Sequence, residues 1–267
     1  MKRNLAAAGM LLALCALARA QNSANRVVIP ARDTGTPRVI EVSLLHASIT
    51  VRTHSGKDVI VETPGAGPAP AERDGMRRID APLLAGITVG EQENVLRIHV
   101  PFHNGHQRDL ALSVPVDTSL NLKTIHGDVR VEGVHGEIDV TTLHGNVTLT
   151  AVSGTVVASS TLGTLKVSME GLDPAKPLSF SSLNGDIDVT FPADVKANLK
   201  LKADRGEIWS DFDIVLTGTG MGARSHTTNG VYRITMDRNI YGTINGGGVE
   251  AGFHTVNGKI LIHKRSK

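Results

Sequence analysis

Histidine stands in front of glycine at His126-Gly127, His135-Gly136 and His144-Gly145, and the series continues through Ser153-Gly154 and Leu162-Gly163, every interval being nine residues. Imidazole is a common ligand for zinc, copper and nickel, so metal binding is the first chemistry to weigh. If two such units make one coil, His126 and His144 stack on one edge and His135 lies on the other. That gives pairs of ligands, whereas tetrahedral zinc wants three or four. The same slot elsewhere holds Asn184, Arg205 and Asn257, the variety expected of an outward position. His99, His103 and His106 form a second group around Asn104-Gly105, a dipeptide that predicts a hairpin turn. His126, His144, His103 and His106 are therefore the metal candidates, on a chain for which no cofactor is expected.

Carboxylates suggest two further chemistries. Secreted nine-residue glycine repeats that bind calcium keep an aspartate at a fixed place in every turn. Here the residue after glycine is Asp128, Glu137, Asn146, Thr155 and then Thr164, so the charge fades along the array, and calcium needs six to eight oxygens. Asp186/Asp188 and Asp211/Asp213 place two acids on one strand face, which raises sugar cleavage by a β-helical enzyme as an alternative. Two-carboxylate hydrolysis, however, needs acids on opposite sides of the scissile bond. Trp209, Tyr232 and Tyr241 are scattered, and there is neither a G-x-S-x-G elbow nor a phosphate loop.

The elements that carry these residues follow a signal segment. Lys2 and Arg3 precede an apolar run from Leu5 to Ala18, and Ala18-Arg19-Ala20 has the small-x-small form of a cleavage site. The expectation is residues 1–20 as signal peptide, 21–38 as lead-in and 39–265 as one repeat domain, exported and without a transmembrane span. Cys15, the only cysteine, falls within the signal behind Leu14, not behind the small residue that lipidation prefers. The cleaved chain then has no thiol for disulfides, catalysis or metal binding. Loss of Lys2, Arg3 and Arg19 takes the formal charge from +2 to −1, which gives no electrostatic basis for nucleic-acid binding. The basic end His263–Lys267 reads as a solvated terminus.

Alternation along strands sets the predicted interior. Ile125, Gly127, Val129 and Val131 share one parity, as do Val134, Gly136, Ile138 and Val140 in the next unit. The third unit has Leu143, Gly145, Val147 and Leu149, and the fourth Val152, Gly154, Val156 and Ala158. Each unit reads as a short strand plus a corner, with glycine marking a bend or a close backbone approach. Units of this kind cannot bury their apolar face alone and must stack. The expected fold is all-β, a single-domain β-solenoid, β-helix or β-roll-like, with coils of two units or of three. Gly127, Gly136, Gly145, Gly154, Gly163, Gly185 and Gly258 are its repeat glycines. Pro64–Arg78 and Thr217–Asn229 are predicted loops, with a strand from Val231 to Met236.

The x-G-x-(I/V)-x-(V/L) series, Gly206-Glu207-Ile208-Trp209-Ser210-Asp211-Phe212, and Ile244-Asn245-Gly246-Gly247-Gly248 leading to Thr255-Val256-Asn257-Gly258-Lys259-Ile260 together resemble the bacterial "putative adhesin" family. The resemblance spans roughly Val39 to His263. It implies exported β-strand-repeat domains and brings no catalytic residues with it. The expected function is non-enzymatic: an adhesin-like envelope binding or scaffold module for an unknown envelope, surface or glycan ligand. A carbohydrate-active β-helix and a periplasmic metal-binding module are the alternatives.

Overall fold

The computed structural model describes residues 26–31, 35–64, 72–73, 76–77, 87–101, 107–228 and 231–266. Residues 1–20 and the turn carrying His103 and His106 lie outside them, as does most of the Pro64–Arg78 segment. Short alternating runs rich in valine, leucine and threonine fold as strands because branched side chains fit a pleated, half-buried surface. In chain order these are β1 (Arg26–Ile29), β2 (Val39–His46), β3 (Ile49–His54), β4 (Val59–Glu62), β5 (Glu72–Arg73), β6 (Met76–Arg77), β7 (Thr88–Gln92), β8 (Val95–His99), β9 (Leu110–Pro115), β10 (Ser119–His126) and β11 (Val129–Glu132). There follow β12 (Glu137–His144), β13 (Val147–Leu162), β14 (Leu165–Leu172), β15 (Leu178–Asn184), β16 (Ile187–Phe191), β17 (Ala197–Ala203), β18 (Ile208–Ser210), β19 (Val215–Thr228), β20 (Val231–Ile244), β21 (Val249–Asn257) and β22 (Ile260–Lys264). The described residues contain no helix.

The strands form two facing parallel stacks in a solenoid-like arrangement. The first sheet runs β8, β2, β10, β12, the second half of β13, β15, β21, β17. The second runs β9, β3, β11, the first half of β13, β14, β16, β22, β18. Leu120 lies opposite Ile138, and Val129 opposite Val147, so through the middle a residue meets the one 18 positions on. Two pairs of strands sit out of chain order. β2 and β3 lie between β8/β9 and β10/β11, and β21 and β22 lie between β15/β16 and β17/β18. Antiparallel strands cover most of the ends: β7 on β8, β4 on β9 with β1 outside it, and β20 on β17 with β19 outside it. Such strands shield the parallel stack from edge pairing with other chains.

The core lies between the sheets and contains Ile40, Leu122, Ile138, Leu149 and Leu165, with Phe180, Phe191 and Phe253 near the C-terminal end. Phe180 and Phe253 pack 5.0 Å apart, and Phe191 meets Phe253 edge-on at 6.4 Å. At the other end Arg38 and Glu91 form a buried ion pair at 2.9 Å, and Arg38 Nη2 also donates to Pro30 O. Excluding water from that pair demands such a partner for each charge.

Three expectations are corrected. Ile125 and Leu143 face solvent, at 38% and 42% exposure, although Val134 and Val152 in the equivalent places of the alternate units are buried. The two corners differ. At the corner after a first-sheet strand the chain turns between Thr124 and Gly127, so inward parity passes from Leu120, Leu122 and Thr124 to Val129 and Val131. Of the predicted loop Thr217–Asn229, the described residues to Thr228 belong to a strand: β19 pairs antiparallel with β20 from Val215↔Thr243 to Thr228↔Val231. Backbone ladder bonds need no side chain, so the glycines weaken this hairpin without preventing it. The basic end is paired as well, with β22 held between β16 and β18 and Arg265 N donating to Phe191 O at 2.9 Å.

Candidate functional site

The repeated corner arranges five kinds of residue in rows along the stack of strands. First are the glycines. A Cβ on Gly145 would collide with the carbonyl of Gly127, and one on Gly163 with the carbonyl of Gly145. Adjacent coils approach backbone to backbone there. Three residues upstream, buried hydroxyls satisfy those same carbonyls. Thr124 Oγ1 donates to Ala47 O at 3.0 Å, Ser160 Oγ to Gly145 O at 3.1 Å, Ser182 Oγ to Gly163 O at 3.2 Å and Thr255 Oγ1 to Gly185 O at 3.1 Å. A carbonyl at a corner has a lone pair that the ladder does not use, and leaving it unmet inside the fold is costly.

The residue just before the second-sheet strands β9, β11, β13 and β16 ties one coil to the next. Asp109 Oδ1 accepts from Ser48 N, Asp128 Oδ1 from Asn146 N, Asn146 Oδ1 from Thr164 N and Asp186 Oδ1 from Lys259 N, at 2.7–3.0 Å. Of the acids in the calcium comparison, Asp128 is thus an acceptor for a backbone N–H group, whereas Glu137 pairs with Lys176 Nζ. Asp, Asn and Ser all serve that purpose, which accounts for the mixture.

The residue before glycine forms the row His46, His126, His144, Leu162, Asn184, Asn257. The imidazoles of His46, His126 and His144 stack at centroid distances of 4.7 and 4.6 Å with planes within 6° of parallel. Ring-nitrogen lone pairs lie in the ring plane, and parallel offset planes do not aim them at one ion. His135 is exposed at the opposite corner, away from this row. Among the described residues no group of three or more His, Cys, Asp or Glu is placed to hold a metal ion. Farther along, Asn257 Nδ2 donates to Asn184 Oδ1 at 2.6 Å. Leu45-His46-Ala47-Ser48-Ile49-Thr50-Val51 reads from sequence as an earlier copy of the repeat with alanine in the glycine place, but 80 residues separate His46 from His126, and its place in this row shows only in the strand pairing.

Beside the histidine row runs an apolar one. Leu45, Ile125, Leu143 and Leu183 occupy the outward position just before it, with Thr161 between Leu143 and Leu183, and the four apolar residues are 38–47% exposed, as is Leu162 beside Thr161. With adjacent strands about 4.8 Å apart, the ridge from Leu45 to Leu183 is about 19 Å long.

The acids proposed for sugar cleavage separate. Asp186 holds the Lys259 backbone, whereas Asp188 and Asp211 both approach His263 on the outer face of the second sheet. His263 Nδ1 lies 2.9 Å from Asp211 Oδ2, and Nε2 lies 3.7 Å from Asp188 Oδ1. The hydrogen bond from His263 holds the Asp211 carboxyl below its usual range. A general acid of a glycosidase needs the opposite shift. Trp209 is exposed nearby, its Nε1 donating to Glu207 Oε2 at 3.2 Å.

Comparison with known proteins gives a family. The family described as Toastrack DUF4097 matches residues 87–262, well over half of the 267-residue chain. No curated protein matches the sequence. Among solved structures, a putative cell adhesion protein from Clostridium sporogenes is similar with a TM-score of 0.45 and 9% identity, over 90% of this chain and 99% of that one. A putative adhesin from Bacteroides fragilis gives a TM-score of 0.43 and 11% identity, over 90% of this chain and 97% of that one.

Proposed function

Because the chain belongs to the Toastrack DUF4097 family, which carries no assigned chemistry, we propose from its surface that it is an exported, non-enzymatic binding module of the cell envelope. In this reading nine-residue strand-corner units form a rigid β-solenoid that presents its outer faces to an envelope or surface ligand. The observation that carries it is the apolar ridge of Leu45, Ile125, Leu143 and Leu183. Outward strand positions on a solvated face are ordinarily polar, and aligned exposed apolar side chains mark interaction surfaces. The ridge sits on a sheet whose backbone is held by parallel ladders on both sides, so its spacing is fixed before any partner arrives. A pre-organised surface loses little conformational entropy on binding.

The cellular test is to express the full-length chain, sequence its N-terminus, and compare protease cleavage on intact and lysed cells. Export predicts a chain beginning at Gln21, outside the cytoplasm. A chain that keeps residues 1–20 and stays in the cytoplasm contradicts the reading. Cleavage on intact cells assigns the module to surface adhesion, and protection until lysis assigns it to an internal envelope scaffold.

A further inference from the structure

A groove of about 390 Å³ crosses the outer face of the first sheet near its C-terminal end, within the range of about 300–1,000 Å³ usual for small-molecule sites. Two rows of side chains build it. Ser179, Gly252 and Lys200 lie in register across β15, β21 and β17, and Ser181, His254 and Lys202 form the row two residues along. Asn239 of β20 lines the far wall, and Tyr241, opposite Lys200, is partly exposed beside it.

Gly252 is the telling residue. The corner glycines are required by carbonyls pressed against them, but a Cβ on Gly252 would find nothing nearer than Leu178 O at 3.8 Å. Packing within the fold does not demand glycine in the middle of this strand, where it weakens the sheet. Glycine in a strand interior often marks the close approach of a ligand. The charges around the hollow are unequal. Asp204 lies 3.4 Å from His254 and 3.8 Å from Lys202, and Glu250 stands on the same face two residues before Gly252. Lys200, which lines the hollow, forms no ion pair among the described residues.

We propose that this groove binds an acidic sugar, with the carboxylate of a uronate residue on Lys200 and ring hydroxyls on Ser179, Ser181 and Asn239. A single ammonium group suits one carboxylate, whereas phosphate sites favour the bidentate fork of arginine. The hydroxyl and amide groups around a side-chain-free floor suit a flat, hydroxylated ring. This site rests on the binding-module reading and names a ligand class for it, at a place separate from the apolar ridge.

The test is calorimetric titration of the chain from Gln21 with a galacturonic acid trimer, a galactose trimer and inorganic phosphate. The acidic trimer should bind saturably, and Lys200→Ala and Gly252→Leu should each weaken it at least tenfold, the second by filling the hollow while melting no lower than the native chain. The neutral trimer should bind at least tenfold more weakly. No binding of the acidic trimer overturns the proposal, as does binding unchanged by Lys200→Ala. Equal occupancy by phosphate also overturns it, since the site is then a bare anion site. Neither substitution touches the ridge, so absence of acidic-trimer binding by the native chain with its envelope binding intact overturns the groove proposal alone, whereas absence of envelope binding overturns the module reading on which it rests.

Discussion

Gly145→Ala tests the corner geometry with one carbon atom. The new Cβ would run into the Gly127 carbonyl oxygen and stand 2.6 Å from Gly127 C and 3.2 Å from Asp128 N. All of these are backbone atoms that no rotamer change can move. Relief requires the coils to part at this corner, which strains Gly127 N→His144 O (3.0 Å), Val129 N→Asn146 O (2.9 Å) and Thr142 Oγ1→Gly127 O (3.4 Å). At about 1 kcal/mol for each hydrogen bond, the loss is about 3 kcal/mol. Restricting the unfolded chain by replacing glycine returns about 0.5–1 kcal/mol, leaving a net loss of about 2 kcal/mol or more. Gly252→Ala is the control, because its Cβ enters open space and only the gain remains. Urea unfolding followed by far-ultraviolet circular dichroism measures both, with an unchanged slope confirming that the midpoint shift reports stability. If Gly145→Ala lies within about 0.5 kcal/mol of the native chain, beneath the bond losses reckoned above, the close-approach argument is wrong.

Other outcomes follow from the same rows. Ser160→Ala removes the donor to Gly145 O and should cost about 1–2 kcal/mol by the same denaturation assay. Leu143→Ala on the ridge should cost less than about 1 kcal/mol, whereas Leu149→Ala, buried at 1% exposure, should cost about 2–5 kcal/mol; similar losses would restore Leu143 to the core. His263→Ala should raise the Asp211 pKa toward the ordinary carboxylate range, as read by carbon-detected NMR titration, because the His263 hydrogen bond is the largest cause of its depression. The sign follows: a carboxyl held low in the folded state contributes stability above its unfolded pKa, and that contribution is lost as pH falls through its lowered folded value. An Asp211 titration unchanged by the substitution refutes this assignment.

Glycine, valine and alternation were enough to read the all-β architecture, the strand parity through Val134–Val140 and the stacking of His126 on His144. Those features are local or fall at a constant separation. Ile125 and Leu143 misled because a leucine before a corner looks the same whether the chain has already turned or not. Only the partners of Thr124 and Ser160 show that the hydroxyl takes the inward place. β19 was hidden because Gly218, Gly220 and Gly222 erase the side-chain alternation while leaving the backbone free to pair. The placement of β2/β3 and β21/β22 out of chain order has no periodic signature, so the motif copy at Leu45–Val51 was legible but its place beside His126 was not. The groove draws on β15, β17, β20 and β21, and no spacing in one stretch of sequence records that meeting.

Binding of the purified chain from Gln21 to isolated cell envelopes, measured by co-sedimentation beside an Ile125→Lys/Leu143→Lys variant, tests the binding-module reading most directly. Both substituted positions are exposed, so the variant should fold and unfold as the native chain does. The account predicts saturable binding by the native chain and at least a tenfold loss in the variant. Equal binding by the two, or none by the native chain, contradicts it.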